Sequence, residues 1–417
     1  MAQKKILISC YACSPYRGSE PGMGWSFVSG LSQYFEVHVI VEEEKFKADI
    51  QKYLEEATTA YDNLHFYFIK KKRNRKLRKI WPPSYYWFYK QWQKEAFHLA
   101  QELHKKEQFD LCHQLNMVGY REPGYLWKLD IPFVWGPIGG LQNTSWKLFP
   151  FLDAYGKLFY GGRNIYNSLQ ARFLSRPKLA ATRHNASIIA ATPDIKSAIK
   201  TLWNTEASIL TEVGTLESVN ETINFRDTSQ PIDIVWSGQH TPGKALNILL
   251  QSLAQLPQET NWKLHVLGVG KETEKWKQLA NQLDVSSRCV WYGWLQKDEA
   301  INVMKQGHLF VMTSLKDLTS TVIIEAISLG MPVITLDHCG FSHVINEQCG
   351  VKIPITNASQ ITQNIASAIQ RLHDDETLRQ ELSKGAQQRS NDFQWNDKVD
   401  KLNQCYTQLL DENTAYS

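Results

Sequence analysis

Two carboxylates with seven residues between them, Asp317 and Glu325, stand in the stretch Thr313-Ser314-Leu315-Lys316-Asp317-Leu318-Thr319-Ser320-Thr321-Val322-Ile323-Ile324-Glu325-Ala326. A carboxylate offers two acceptor oxygens and so suits the paired hydroxyls of a sugar or a ribose. The stretch follows an apolar run, Leu309-Phe310-Val311-Met312, and opens a helix. Asp317 then falls in the loop and Glu325 about one and a half to two turns inside the helix, so both can face one cleft. The N–H groups at Ser320, Thr321 and Val322 have no partner within the helix and can point at a phosphate. A capped helix with a buried glutamate is the plainer alternative. The apolar start Val322-Ile323-Ile324 makes an unpartnered Glu325 costly, which favours a bound partner.

Two further turns can meet an anion. Trp236-Ser237-Gly238-Gln239-His240-Thr241-Pro242-Gly243-Lys244 follows an apolar run directly. Gly238 and Gln239 would form the turn. Lys244, at the start of a helix, adds an ammonium to the positive end of the helix dipole, a combination that favours a pyrophosphate. Near the N-terminus, Arg17-Gly18-Ser19-Glu20-Pro21-Gly22-Met23-Gly24-Trp25 carries glycines that allow backbone to approach a ligand closely. A dinucleotide fingerprint would need a third glycine at position 27, which is Phe. Glu42, at the end of the second strand, would serve as that fingerprint's ribose ligand. A purely structural turn is the other reading of Gly22 and Gly24.

The elements that must hold these turns are strands alternating with helices from end to end, the pattern of a parallel α/β architecture. Strands are expected at 5–10, 35–42, 64–69, 109–113, 132–135, 187–191 and 207–211, and again at 232–237, 262–267, 289–292, 308–312, 332–336 and 350–353. Each half reads as a doubly wound sheet that binds at the C-terminal ends of its strands. The polar, aperiodic stretch 216–231, ending at Pro231, divides them. The expected organisation is an N-terminal Rossmann-like domain at 1–215, a C-terminal Rossmann-like domain at 216–392, and a final helix over 393–417. Val399, Leu402, Tyr406, Leu409 and Leu410 give that helix an apolar face that must pack on something.

A length of 417 residues suits two domains, and a hydrophobic content of 43% lets each bury a core. The formal net charge of +4 argues against a dedicated nucleic-acid binder, so no nucleic-acid partner is expected. Ile6-Leu7-Ile8-Ser9-Cys10 is too short for a signal peptide, and no stretch approaches the roughly 20 apolar residues that cross a bilayer. With seven scattered cysteines, a cytoplasmic protein with reduced thiols is expected, although Cys10 and Cys13 form a Cys-x-x-Cys that a redox pair could use. One segment departs from this background. Eight cations lie between Lys70 and Lys79, followed by Trp81, Tyr85, Tyr86, Trp87, Phe88, Tyr89 and Trp92. Cations attract anionic lipid, and Trp and Tyr seat at headgroup level, so residues 70–92 are a candidate surface for the inner face of a membrane. A solvated face beside core aromatics is the alternative, with RNA or DNA binding the third and weakest reading.

The motifs together resemble those of the large retaining glycosyltransferase family four, of the two-Rossmann-domain type known as GT-B. Asp317-x7-Glu325 resembles the family's Glu-x7-Glu motif, and Gly330-Met331-Pro332-Val333-Ile334 the strand entry that follows it. Gly238 with Lys244 resembles the Gly-Arg-x5-Lys motif, Gly268-Val269-Gly270 the Gly-x-Gly, and Val290-Trp291-Tyr292-Gly293 the base-binding strand end. Phe393-Gln394-Trp395 resembles the start of a helix that crosses back onto the N-domain. Three positions depart from the pattern. Asp317 replaces a glutamate, Gln239 the phosphate-binding arginine, and His113-Gln114-Leu115 keeps one imidazole of a His-x-His.

The resemblance implies two facing Rossmann-like domains and transfer of a sugar, with retention, from a nucleoside-diphosphate donor (UDP- or GDP-sugar) to a carbohydrate or lipid-linked acceptor. Lys244, Asp317 and His113 would be catalytic. Gly22, Gly24, Gly238, Gln239, Trp291, Ser320, Thr321, Val322 and Glu325 would line the binding sites. The acceptor would sit near Gly18–Gly24, His113 and Trp135–Gly140. No Asp-x-Asp occurs, so neither a metal nor a cofactor beyond the donor is expected. A non-catalytic scaffold of the same fold and a dinucleotide-dependent oxidoreductase are the competing readings.

Overall fold

The computed structural model describes residues 3–81, 84–215 and 223–414. Leu216 to Glu221, in the stretch expected to divide the halves, lie outside the described residues. The chain forms two compact units, Met1–Leu141 with Leu169–Glu212 and Trp395–Ser417, and Gln142–Ser168 with Val213–Gln394.

The first unit holds β1 (Lys5–Cys10), β2 (Glu36–Glu42), β3 (Leu64–Ile69), β4 (Leu111–Asn116), β5 (Phe133–Ile138), β6 (Ala186–Ala190) and β7 (Ser208–Ile209). They make a parallel sheet in the order β3-β2-β1-β4-β5-β6-β7. Five of the six residues of β1 are fully buried, as expected of a strand with helices on both faces. Chain order reverses between β1 and β4, which makes their C-terminal ends the binding crevice of such a sheet. The final helix, Trp395–Thr414, closes this unit. Phe27 of the helix Ser19–Leu31 meets Trp395 edge-on at 5.3 Å, and the methyls of Val399 fill the space a side chain at Gly30 would take.

The second unit holds β8 (Ile232–Ser237), β9 (Trp262–Leu267), β10 (Cys289–Gly293), β11 (Leu309–Met312), β12 (Val333–Leu336) and β13 (Gly350–Ile353), parallel in the order β10-β9-β8-β11-β12-β13. Alternation along β8 sends Ile232, Ile234 and Trp236 into one core and Val235 into the other. The reversal here lies between β8 and β11. Those two strands lead into the Gly238–Lys244 turn and the Asp317 loop.

Residues 142–168 pack with the second unit, although nothing in the sequence separates them from the N-terminal half. Leu148 and Leu152 enter the core beside Trp236, and the Asn247 side-chain amide donates to the Phe151 carbonyl at 2.9 Å.

Candidate functional site

In the second unit the site begins with a lock between two loops. The Trp236 indole N–H donates to the Thr313 hydroxyl at 3.0 Å, and that hydroxyl donates to the Lys244 carbonyl at 3.0 Å. The Leu315 N–H donates to the Gly243 carbonyl at 2.7 Å. The turn after β8 and the loop after β11 are thereby held side by side, and the Lys244 ammonium reaches the Asp317 carboxylate in a direct ion pair. Both side chains keep about a quarter of their surface, 23% and 28%, open to solvent. The backbone holds Asp317 as well, with the Leu318 N–H donating to its Oδ1 at 3.0 Å.

Gly238 lies against the Lys244 stem, where an added Cβ would meet it at an ordinary 3.6 Å. Gly268 and Gly270 are under tighter constraint. Gly268 has φ +112, a Cβ there would come 2.1 Å from the Gly238 carbonyl oxygen, and one at Gly270 2.3 Å from the His240 carbonyl oxygen. These glycines let the β9 loop press on the β8 turn, with His240 N–H donating to Val269 at 3.0 Å. His240 lies under the turn, its Nδ1 2.7 Å from the Thr273 hydroxyl, and its ring is 6.0 Å from that of half-buried Trp291. Burial holds the His240 imidazole down at a pKa of about 4, so it is neutral at pH 7. Gln239 is exposed on the outer side of the turn.

Ser320 precedes the helix Thr321–Ser328 in an extended conformation without a capping side-chain bond. Ile323, Ile324 and Ile327 fix the rotation of that helix by entering the core with Val235 and Phe310. Val322 and Glu325 are left half-buried. Burial raises the pKa of Glu325 above the usual carboxylate value, with Lys297 a weaker opposing influence. Among the described residues none donates a hydrogen bond to its carboxylate. The structure thus joins Gly238, Lys244, Asp317, His240 and Trp291 through contacts, and places Ser320–Val322 and Glu325 on the neighbouring helix.

The first unit corrects several expectations. His113 is wholly buried, with Nε2 2.8 Å from the Gly136 carbonyl and Nδ1 bonded to the Tyr406 hydroxyl. Burial lowers its pKa to about 4. Both nitrogens are used and no face is open, so His113 is a core histidine that anchors the C-terminal helix. Gly22 and Gly24 lie inside the helix Ser19–Leu31 rather than in a loop. A Cβ at Gly22 would come 2.5 Å from the Arg17 carbonyl oxygen, and one at Gly24 2.3 Å from that of Ala12. Both glycines serve packing of the helix on its own loop. Glu42 is fully buried, caps the helix Glu43–Glu56 through Lys45 N–H at 2.9 Å, and pairs with Arg73 at 2.5 Å. The Glu42 carboxylate is thus already taken and does not serve a dinucleotide ribose. Cys10 and Cys13 are buried free thiols, and burial pushes the Cys13 thiol up, away from redox reactivity.

The basic and aromatic segment divides between the first unit's interior and its surface, with Lys70 and Lys72 still 70% and 76% exposed. Lys70 pairs with Glu44 and Lys72 with Glu95, each at 3.4 Å, and Arg73 with Glu42 and Glu44. Lys71 is buried with its ammonium 3.5 Å from the Tyr85 ring centre, and desolvation pulls its pKa down to about 7. Tyr89 and Trp92 are core, whereas Ile80, Trp81, Tyr86 and Trp87 are exposed.

Residues 221–389, most of the second unit, match the family model for glycosyl transferases group 1. The lipopolysaccharide core biosynthesis glycosyltransferase LpsE of Rhizobium meliloti is 27% identical over 210 residues, 49% of this chain and 59% of that protein. The lipopolysaccharide 1,6-galactosyltransferase of Escherichia coli is 36% identical over 97 residues, 22% of this chain and 26% of that protein. The chain therefore spans between a quarter and three-fifths of the length of these relatives. Among solved structures, sucrose-phosphate synthase of Thermosynechococcus elongatus superposes with a TM-score of 0.65 at 15% identity, covering 98% of this chain and all of that one. HepE of Anabaena, in complex with UDP, superposes at 0.62 and 14% identity, covering 97% and 100%. The fold is the GT-B fold of these glycosyltransferases.

Proposed function

We propose that the chain is a retaining glycosyltransferase. It moves a sugar from a nucleoside diphosphate, UDP or GDP, to a hydroxyl of a carbohydrate or lipid-linked acceptor held by the first unit. The observation that carries the reading is the Lys244–Asp317 pair, poised between the two strand ends at the reversal of the second sheet. The group 1 family match over the same residues and the lipopolysaccharide relatives support it, and HepE's complex with UDP favours uracil as the base.

In this reading the donor opens the ion pair. The Lys244 ammonium passes to the diphosphate and neutralises charge that grows as the sugar–phosphate bond breaks. The N–H groups at the start of the helix Thr321–Ser328 face the same phosphates, and exposed Gln239 adds a neutral hydrogen bond where a second cation is missing. Asp317, released from Lys244, accepts from hydroxyls of the donor sugar. Glu325 accepts from the ribose hydroxyls, which restores donors to a carboxylate that burial has left without any. Trp291 lies where a base would stack. The acceptor enters at the C-terminal ends of β1 and β4, and exposed Ile80, Trp81, Tyr86 and Trp87 would face a membrane carrying a lipid-linked acceptor.

The experiment is calorimetric titration and donor hydrolysis with a panel of UDP- and GDP-sugars. At least one should bind and turn over, and Lys244→Met should cut kcat/KM at least ten-fold. A chain that binds none of them is a scaffold of this fold and not a transferase.

A further inference from the structure

The first sheet carries a cluster of metal-ligating side chains at the end opposite its binding crevice. Glu36 and His38, two residues apart on β2, share one face, and His65 stands on β3 as the register partner of His38. His38 Nε2 lies 3.0 Å from Glu36 Oε1, and His65 Nε2 lies 3.7 Å from the same oxygen. The three ligand atoms fall within 4.8 Å of one another. Imidazole nitrogen and carboxylate oxygen bind zinc at about 2.0–2.2 Å, so ligand atoms around one tetrahedral ion stand roughly 3.3 Å apart. Closing the difference takes a rotation of His65, which has room to turn with 41% of its side chain exposed. His38 is the fixed member. It is buried, with the His65 ring 4.7 Å and the Phe109 ring 4.9 Å from its own. Its Nδ1 lies 3.0 Å from the Tyr67 hydroxyl. With Nδ1–H donating to that hydroxyl, the Nε2 lone pair faces the Glu36 carboxylate, and a cation between the two acceptors completes the arrangement. Burial pulls the His38 pKa below its ordinary value, with the bond to Glu36 opposing, so the ring is neutral at pH 7 and able to ligate.

Lys5 is the competitor for this carboxylate. Its ammonium lies 3.2 Å from Glu36 Oε1 and 2.6 Å from Glu107 Oε2. A divalent ion has to release it from Glu36, and Glu107 keeps it paired when it leaves. The second unit holds a related chain without an open ligand. Asp233 meets His265 Nε2 at 2.7 Å, and His265 Nδ1 meets the Tyr292 hydroxyl at 2.9 Å, as Glu36, His38 and Tyr67 meet in the first unit. The further imidazole there, His308, spends its Nδ1 on the Asp233 N–H at 2.9 Å. His65 is what the first unit adds, since its Nε2 stands beside the Glu36 carboxylate at a distance too long for a hydrogen bond.

We propose that Glu36, His38 and His65 bind one zinc ion, with water as the fourth ligand, and that the ion ties the edge strand β3 to β2. Two imidazoles with one carboxylate suit Zn2+ better than Mg2+ or Ca2+, which take oxygen ligands. The cluster lies toward the N-terminal ends of its strands, away from the ends where such a sheet binds ligands, so the ion is structural and takes no part in sugar transfer. The full chain, stripped with EDTA and dialysed, is titrated with zinc chloride by calorimetry and with cobalt(II) as a spectroscopic substitute. One equivalent should bind, and zinc should raise the melting temperature. Cobalt should give a visible d–d band without the near-ultraviolet charge-transfer band of a cysteine thiolate. His65→Gln should weaken zinc binding at least ten-fold while melting like the parent in EDTA, because the position is exposed. Lys5→Met removes the competing cation and should bind zinc more tightly than the parent. Three results would overturn the proposal. One is the absence of saturable zinc binding by the parent. Another is an affinity that neither His65→Gln nor Lys5→Met changes. The third is a thiolate band with cobalt, which would move the metal to the cysteines.

Discussion

Replacing Asp317 by Asn isolates the ion pair on which the proposed donor site turns. In the free chain Lys244 is held by Asp317, so any diphosphate must first displace that carboxylate. With both side chains about a quarter exposed, at 23% and 28%, solvent screens the pair, and its coupling is worth about 0.5–1 kcal/mol. Asn removes the charge and keeps the Leu318 N–H acceptor in place. A free nucleoside diphosphate, which carries no sugar for Asp317 to hold, should then bind about two- to five-fold more tightly. Sugar transfer should move the other way, because the donor's hydroxyls lose a charged acceptor worth about 1.5–3 kcal/mol, or ten-fold and more in kcat/KM. The assay is calorimetry with UDP and with GDP on the parent, Asp317→Asn and Lys244→Met, beside turnover with the active donor. Lys244→Met should weaken both nucleotides at least ten-fold. Equal nucleotide affinity in the parent and Asp317→Asn, with Lys244→Met also unaffected, would refute the placement of the diphosphate on Lys244.

Two other variants test single residues. Glu325→Gln should lose at least ten-fold in nucleotide affinity while melting higher than the parent at pH 7, because burial raises the carboxyl pKa and the ionised form costs stability. The sign follows from linkage: the penalty grows as pH rises through the raised value and vanishes below about 4.5, so the two melting curves should converge in acid. A lower melting temperature at pH 7 would mean that Glu325 holds a structural partner. His113 has a folded pKa of about 4 against 6.5 unfolded, so the unfolded state takes up a proton that the native core refuses. Stability should therefore fall as pH drops from about 6.5 to about 4, with a ceiling of about 3 kcal/mol from this residue. Urea midpoints of His113→Gln should be lower than the parent's at pH 7 and flatter toward acid, with turnover per folded molecule unchanged. A fully stable His113→Gln that has lost turnover would return the imidazole to catalysis.

All thirteen expected strands exist, with ends displaced by a few residues, and the physical reason is periodicity. Buried parallel strands such as Lys5–Cys10 and Trp262–Leu267 are short, largely apolar runs bounded by turns. The Lys244 and Asp317 loops were legible for a related reason, because each follows such a run directly and a strand end at a chain reversal binds ligands. Their direct pairing was not. It depends on Trp236, Thr313 and the Gly243 carbonyl holding two loops together, contacts between residues some seventy positions apart.

Glycine and histidine misled because their chemistry has two uses that the sequence cannot separate. Gly24 is missing a Cβ because Ala12 and Cys10 press on its helix, and a ligand phosphate pressing there would leave the same residue behind. Gly268 and Gly270 show the productive version of the same ambiguity: they too make room for protein backbone, yet the backbone they admit is the turn that carries Gly238 and leads to Lys244. His113 is decided by Tyr406, nearly three hundred residues away, whose hydroxyl takes one ring nitrogen while the Gly136 carbonyl takes the other.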